Sequence, residues 1–155
     1  MQSKHLVKFL FLTVGLLLCA CSRQKIYSHF EHVSETGWEK IDTLDFFVPP
    51  VAESGTYHED LEMRINNTFP FLSLTMEVSQ IIFPDGRREK YSKDCELIDE
   101  DGTIKGAGIS LFLYTFPLAD IHLNRGDSLH IKVIHSMKRE IMPGITDVGI
   151  SLTRQ

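Results

Sequence analysis

Between Tyr57 and Ile65 the chain alternates strictly: Leu61, Met63 and Ile65 are apolar, and Asp60, Glu62 and Arg64 beside them are charged. Successive side chains of a strand point to opposite faces, so a period of two describes a sheet with one dry and one wet face. A helix would need apolar residues three and four apart. The same alternation returns at Leu74, Met76 and Val78, at Leu129, Ile131 and Val133, and at Val148, Ile150 and Leu152. Turn residues punctuate these runs. Pro84-Asp85-Gly86 turns the chain into Glu89 to Leu97, and Asp99 to Gly102, Gly106-Ala107-Gly108, Asn124 to Asp127 and Pro143-Gly144 read as further breaks. Asp42 to Val48 is β-rich and stops at Pro49-Pro50, because proline cannot donate to a ladder.

Ile109 to Phe116 is almost continuously apolar, which predicts a strand covered on both faces. No window of helical period follows Cys21. The nearest is Tyr27 to Val33, where Tyr27, Phe30 and Val33 fall three apart and predict one or two helical turns. The expected fold is all-β: an antiparallel β-sandwich of about seven strands. Trp38, the only tryptophan, is expected to plug one open end.

The N-terminus belongs to a different class of segment. Lys4 and Lys8 precede or interrupt an apolar run from Leu6 to Leu18, and no acid occurs before Glu31. As a helix that run would span roughly 20 Å at about 1.5 Å per residue, short of a hydrocarbon core about 30 Å thick. It reads as an export signal. Its exit, Leu18-Cys19-Ala20-Cys21, resembles the substrate of the lipoprotein signal peptidase. Cys21 fits as the lipidated first residue after cleavage behind Ala20, whereas Cys19 follows Leu18, too large for the small subsite. One acyl chain anchors marginally at ~0.8 kcal/mol per buried methylene, and two or more hold a protein stably. The expected layout is a removed signal peptide over residues 1–20, a lipid anchor and tether over 21–36, and a sandwich domain over 37–155.

Removing residues 1–20 takes away two lysines and no acid, leaving 14 Lys+Arg against 21 Asp+Glu, a formal charge of −7. An acid surplus without a basic stripe excludes a nucleic-acid binder, which must neutralise phosphate with clustered Lys and Arg. With Cys21 lipidated, Cys95 is the one thiol of the mature domain, too few for a disulfide or a Cys-x-x-Cys site.

Catalytic and metal constellations are equally sparse. His29 and His32 flank Glu31, but no third ligand is marked where zinc needs three or four. His130 and His135, five apart on one strand, face opposite sides. Asp99-Glu100-Asp101-Gly102 opens like a calcium loop, yet Ser110 stands where its closing glutamate belongs. Arg125-Gly126-Asp127 reads as a tight turn. Neither a nucleophile elbow, a phosphate loop nor a dinucleotide fingerprint is present. No catalytic, cofactor-binding or metal residue is expected, and no cofactor. Phe112, Tyr114 and Phe116 share one strand face; they read as core, with a sugar platform as the alternative.

Several stretches, in order along the mature chain, resemble the gliding-motility lipoprotein H (GldH-like) family of the Bacteroidetes. They are Gly37-Trp38, Asn66-Asn67-Thr68-Phe69-Pro70-Phe71 followed by Leu74, Phe83-Pro84-Asp85-Gly86, the Gly106-x-Gly108 pair, and Thr146-Asp147-Val148-Gly149. The resemblance implies a non-enzymatic envelope lipoprotein without catalytic residues, an accessory of a gliding-motility, type IX secretion-linked assembly that acts through protein partners. The alternative is a lipid-anchored glycan-binding module. Surface-displayed lipoproteins of that phylum often carry acids directly after the lipid cysteine. Ser22-Arg23-Gln24-Lys25 has none, which by that resemblance implies an outer-membrane protein facing the periplasm. Asp42-Thr43-Leu44 and Asp127-Ser128-Leu129 match the O-glycosylation pattern of the same phylum.

Overall fold

The computed structural model describes residues 24–155. Among them there is no helix, and every paired strand is antiparallel. The strands are β1 (Gln24–His32), β2 (Trp38–Glu39), β3 (Leu44–Val48), β4 (Gly55–Asn66), β5 (Ser73–Phe83), β6 (Arg87–Glu96), β7 (Ala107–Gly108), β8 (Leu111–Leu123), β9 (Ser128–His135), β10 (Ile141–Met142) and β11 (Ile145–Arg154). One sheet has the order β1-β11-β4-β8-β7 and the other β3-β9-β5-β6, while β2 and β10 form a two-stranded ribbon. Among the eight long strands only β5 and β6 are consecutive neighbours in one sheet; every other connection crosses to the opposite sheet. That wrapping is a jelly roll, a sandwich whose first and last strands pair.

The alternation in sequence becomes the core. Leu61, Met63 and Ile65 from β4, Leu74, Met76 and Val78 from β5, Ile131 and Val133 from β9, and Val148, Ile150 and Leu152 from β11 are all buried between the sheets. At roughly 25 cal/mol for each Å² of apolar surface removed from water, such side chains contribute about 2 kcal/mol apiece. Trp38 is buried, its ring edge-on to His135 with centroids 5.2 Å apart and its Nε1 donating to the Asp42 carbonyl at 3.0 Å. It closes one end of the sandwich, beneath the β2–β10 ribbon.

Three expectations are corrected. The helical turns read over Tyr27 to Val33 are strand: β1 pairs with β11 from Gln24↔Arg154 to His32↔Asp147. A spacing of three puts residues on opposite faces of a strand. Tyr27 accordingly packs on the core, and Phe30 lies outside beneath the Arg64 guanidinium, 4.2 Å from its ring centroid. The span 21–36 expected as tether is strand over Gln24–His32. Nor is Ile109 to Phe116 covered on both faces. Leu111 and Leu113 are exposed on the outer face of β8, opposite Phe112 and Tyr114.

The topology gives the sandwich two unlike poles. The entry pole holds Gln24, Gln155 and the short turns 49–54, 84–86 and 124–127. The far pole holds the segments 33–43, 67–72, 97–110 and 136–144, which include β2, β7 and β10.

Candidate functional site

The far pole carries a recess lined largely by apolar side chains. Asn66 ends β4 and starts a side-chain-stabilised turn: its Oδ1 accepts the Thr68 amide at 2.9 Å and the Thr68 hydroxyl at 2.6 Å. Asparagine serves here because its carbonyl can replace a backbone acceptor two residues on. The turn delivers Phe69 and Phe71 onto the end of the core, edge to face at 5.7 Å and 71°. Gly144 locks it from the other side. With φ of 83°, its backbone approaches so closely that a Cβ there would stand 2.5 Å from the Phe69 nitrogen.

Phe69, Phe71, Leu97, Ile98, Ile104 and Phe112 line a recess of about 150 Å³. An apolar cavity of about 150 Å³ takes a benzene-sized group. Its outer wall is a small hairpin bridged at Ile98↔Ile104. At the hairpin's tip Asp99 Oδ1 accepts the Asp101 and Thr103 amides at 3.1 and 2.9 Å, the plain turn that its sequence implied in place of a calcium loop. Gly106 allows the hairpin to close: a Cβ there would fall 2.6 Å from the Tyr114 ring.

Exposed apolar side chains share this pole with the recess, and Ile104 belongs to both. Of the ten exposed large hydrophobics among the described residues, seven lie at the far pole: Ile41, Leu72, Ile104, Ile109, Leu111, Leu113 and Ile141. Ile109, 92% exposed, stands clear of the body altogether. Isolated exposed apolar residues are ordinary, whereas seven of ten at one pole make it the more apolar end of the sandwich.

The other residues singled out from sequence are placed elsewhere. His29 bonds Glu31 at 2.9 Å and His32 bonds Asp147 at 3.2 Å, and three apart on β1 they point to opposite faces. His130 lies outside against Asp45 at 2.6 Å, and His135 lies inside with neither ring nitrogen hydrogen-bonded. Burial holds the His135 imidazole below its ordinary pKa. Arg125-Gly126-Asp127 is a turn with Gly126 at φ 91°, and the buried Asp127 carboxylate accepts the Asn124 amide at 2.8 Å. Burial pushes the Cys95 thiol up to about 12, so it stays a protonated small hydrophobe. Tyr114 and Phe116 stack in parallel at 6.2 Å, but their face is turned into the core. Thr43 is exposed, whereas Ser128 is half-buried in β9. Cys21 and Ala20 lie outside the described residues.

One buried group escaped the sequence reading. Glu59 sits on the core face of β4, fully buried, with no partner for either carboxylate oxygen. Burial first, then the Glu89 and Asp60 carboxylates, push its pKa up to about 8 against the opposing Gln80 amide. The period of two did carry the signal, because residue 59 shares its face with Tyr57, Leu61, Met63 and Ile65, and the ladder slips by one residue of β8 between Glu59 and Asp60.

Residues 25–152 match the family described as GldH lipoprotein. The chain belongs to that family. It is 26% identical over 153 residues to the gliding motility lipoprotein GldH of Flavobacterium johnsoniae, covering 94% of this chain and 95% of the relative. Among solved structures it is similar to a family 35 carbohydrate-binding module from Clostridium thermocellum, at 13% identity and a TM-score of 0.43, covering 81% of this chain and 98% of the module. It is also similar to part of the glucuronidase BtGH115A, at 10% identity and a TM-score of 0.46, covering 87% of this chain and 18% of the enzyme.

The GldH resemblance has a spatial logic. Gly37-Trp38, Asn66 to Phe71, Gly106-x-Gly108 and Thr146-Asp147 lie far apart in sequence and all gather at the far pole. Val33 donates to the Thr146 carbonyl at 2.9 Å and Asn66 to the Gly144 carbonyl at 2.8 Å, tying the ends of β1 and β4 to the segment that opens β11. Only Phe83-Pro84-Asp85-Gly86 lies at the entry pole. The GldH family membership identifies a cell-envelope lipoprotein of gliding motility.

Proposed function

We propose that this GldH-family lipoprotein is a non-enzymatic accessory of a gliding-motility, type IX secretion-linked assembly. It is lipidated at Cys21 after cleavage behind Ala20, sits on the outer membrane facing the periplasm, and grips a protein partner with its far pole. The observation that carries the reading is the gathering of seven of the ten exposed large hydrophobics among the described residues at the pole that holds the Phe69–Phe71 recess, the end away from Gln24. A lipid at Cys21 sets the membrane at the entry pole and leaves the far pole free to reach a partner. Buried apolar anchors seated in pockets supply most of the energy of such contacts.

Affinity capture of the intact lipoprotein from crosslinked envelopes, beside an Ile104→Asp variant, tests this. Ile104 is 43% exposed, so thermal melting of the variant, expected within about 1 kcal/mol of the wild type, separates a lost contact from a lost fold. The partner crosslinked by the wild type should be lost from the variant. Equal recovery from both would remove the far pole from the account. The anchor has its own check: Cys21→Ser should leave an uncleaved precursor without lipid, and identical detergent partitioning of the two forms would refute it.

A further inference from the structure

The outer wall of the far-pole recess is the hairpin bridged at Ile98↔Ile104, and its tip reads Asp99-Glu100-Asp101-Gly102. The recess lining itself holds no charged side chain. Asp101 is three residues beyond Ile98, so the acidic tip lies within ~10 Å of the apolar wall at about 3.4 Å per residue. Asp99 Oδ1 is occupied with the turn's own amides, whereas Glu100 and Asp101 are exposed and make no ion pair among the described residues. The one cation of segment 97–110, Lys105, is held by Glu96 at the end of β6. The whole pole has the same sign: segments 33–43, 67–72, 97–110 and 136–144 carry seven Asp or Glu against four Lys or Arg.

Two properties select the occupant. A recess of about 150 Å³ seats one benzene-sized group, which is the size of a single apolar side chain. The charge beside it is negative, and at physiological salt such a charge acts over about 8 Å. Anionic lipid headgroups are repelled by this tip, and a purely apolar partner gains nothing from it. A protein segment with an apolar anchor and cations beside the anchor satisfies both properties. Its anchor supplies the binding energy in the recess, while its charges speed the encounter and fix the register. We infer that the recess receives one aromatic or leucine-sized side chain from a basic segment of a protein partner, whose neighbouring Lys or Arg meets Glu100 and Asp101. The inference rests on the far-pole contact proposed above and deepens it by naming the chemistry of the segment that is gripped.

The full lipoprotein, with the photo-crosslinker p-benzoylphenylalanine in place of the exposed Thr103, is irradiated in intact envelopes, and the peptide joined to it is sequenced by mass spectrometry. That peptide should carry Phe, Tyr, Trp or Leu with Lys or Arg close beside it and a net positive charge. Glu100→Lys with Asp101→Lys should lower the yield about tenfold, because attraction becomes like-charge contact, and raised salt should lower the yield of the unreversed protein. Both residues are exposed and unpaired, so thermal melting of the reversed protein should match its parent. A captured segment that is neutral or acidic, or a yield untouched by the reversal, overturns the basic segment and leaves the far-pole contact standing. Capture of lipid, or only of a second copy of this chain, overturns it as well. No capture of any protein from position 103 overturns the far-pole contact and this inference together.

Discussion

The entry and far poles are built on opposite principles, although the same eight strands run between them. Backbone closes the entry pole. Loops 49–54 and 124–127 are zipped together, with Val51 donating to the Asp127 carbonyl at 2.8 Å and Gly126 to the Val51 carbonyl at 2.9 Å, and the Arg125 amide donating to Ser54 Oγ at 2.8 Å. Side chains close the far pole: Trp38 over His135, Phe69 against Phe71, and Gly144 pressed on Phe69. Short turns fix a pole but offer little surface, whereas long segments offer surface and must be pinned by packing. A tethered protein has use for both, a rigid end for its anchor and a shaped end for a partner.

The two poles should also respond oppositely to pH, and this is the largest effect expected. Glu59 lies in the half of β4 nearer the entry pole, His135 at the far end of β9 under Trp38. The fold favours protonated Glu59, so its contribution to stability is complete below about 4.5 and is lost as pH rises through about 8. At about 1.4 kcal/mol per pH unit, the window holds about 5 kcal/mol. His135 has the reverse sign: its folded pKa is depressed, so its contribution is present above 6.5 and lost as pH falls. Urea midpoints against pH should give a dome for the wild type. Glu59→Gln should flatten the alkaline side alone. Parallel curves for the two proteins would show that the buried carboxyl carries no linkage.

Trp38→Ala comes next, at about 3 kcal/mol or more, the cost of emptying a large buried aromatic site. Chemical denaturation measures it. A loss below about 1 kcal/mol would mean that the far pole is not held by its tryptophan, and the contrast between side-chain and backbone closure would fail.

Much of this contrast was legible in the sequence. Period-two runs from Tyr57, Leu74, Leu129 and Val148 located β4, β5, β9 and β11, because one-sided burial writes itself into alternation. The turns were legible for a similar reason, since Asp85-Gly86 and Arg125-Gly126-Asp127 carry the glycine that positive φ requires. β1 was not. An edge strand with aromatics on both faces loses the period of two, and Tyr27, Phe30 and Val33 then imitate a helical stripe. The exposure of Leu111 and Leu113 was hidden as well, because an apolar run does not reveal whether a neighbour covers its second face. The recess could be read only in pieces: Asn66 to Phe71, Gly106 and Gly144 become neighbours through the crossing of sheets, which no local pattern encodes.

The smallest effects make the sharpest comparison, because the same change can be made at both poles. Gly144 at the far pole and Gly86 at the entry pole both hold positive φ, 83° and 70°. A Cβ on Gly86 meets nothing within 4 Å, so Gly86→Ala bears only the left-handed backbone cost of about 1 kcal/mol. At Gly144 a Cβ also strikes the Phe69 backbone, and Gly144→Ala should cost about 2 kcal/mol or more. Thermal unfolding of the two variants, side by side, reads the difference. Equal losses would mean that Phe69 can move aside freely, and the recess it lines would then be adaptable instead of preformed. A larger loss at Gly144 would show a far pole set before any partner arrives, since the strain that the alanine introduces has nowhere to go except into the wall of the recess itself.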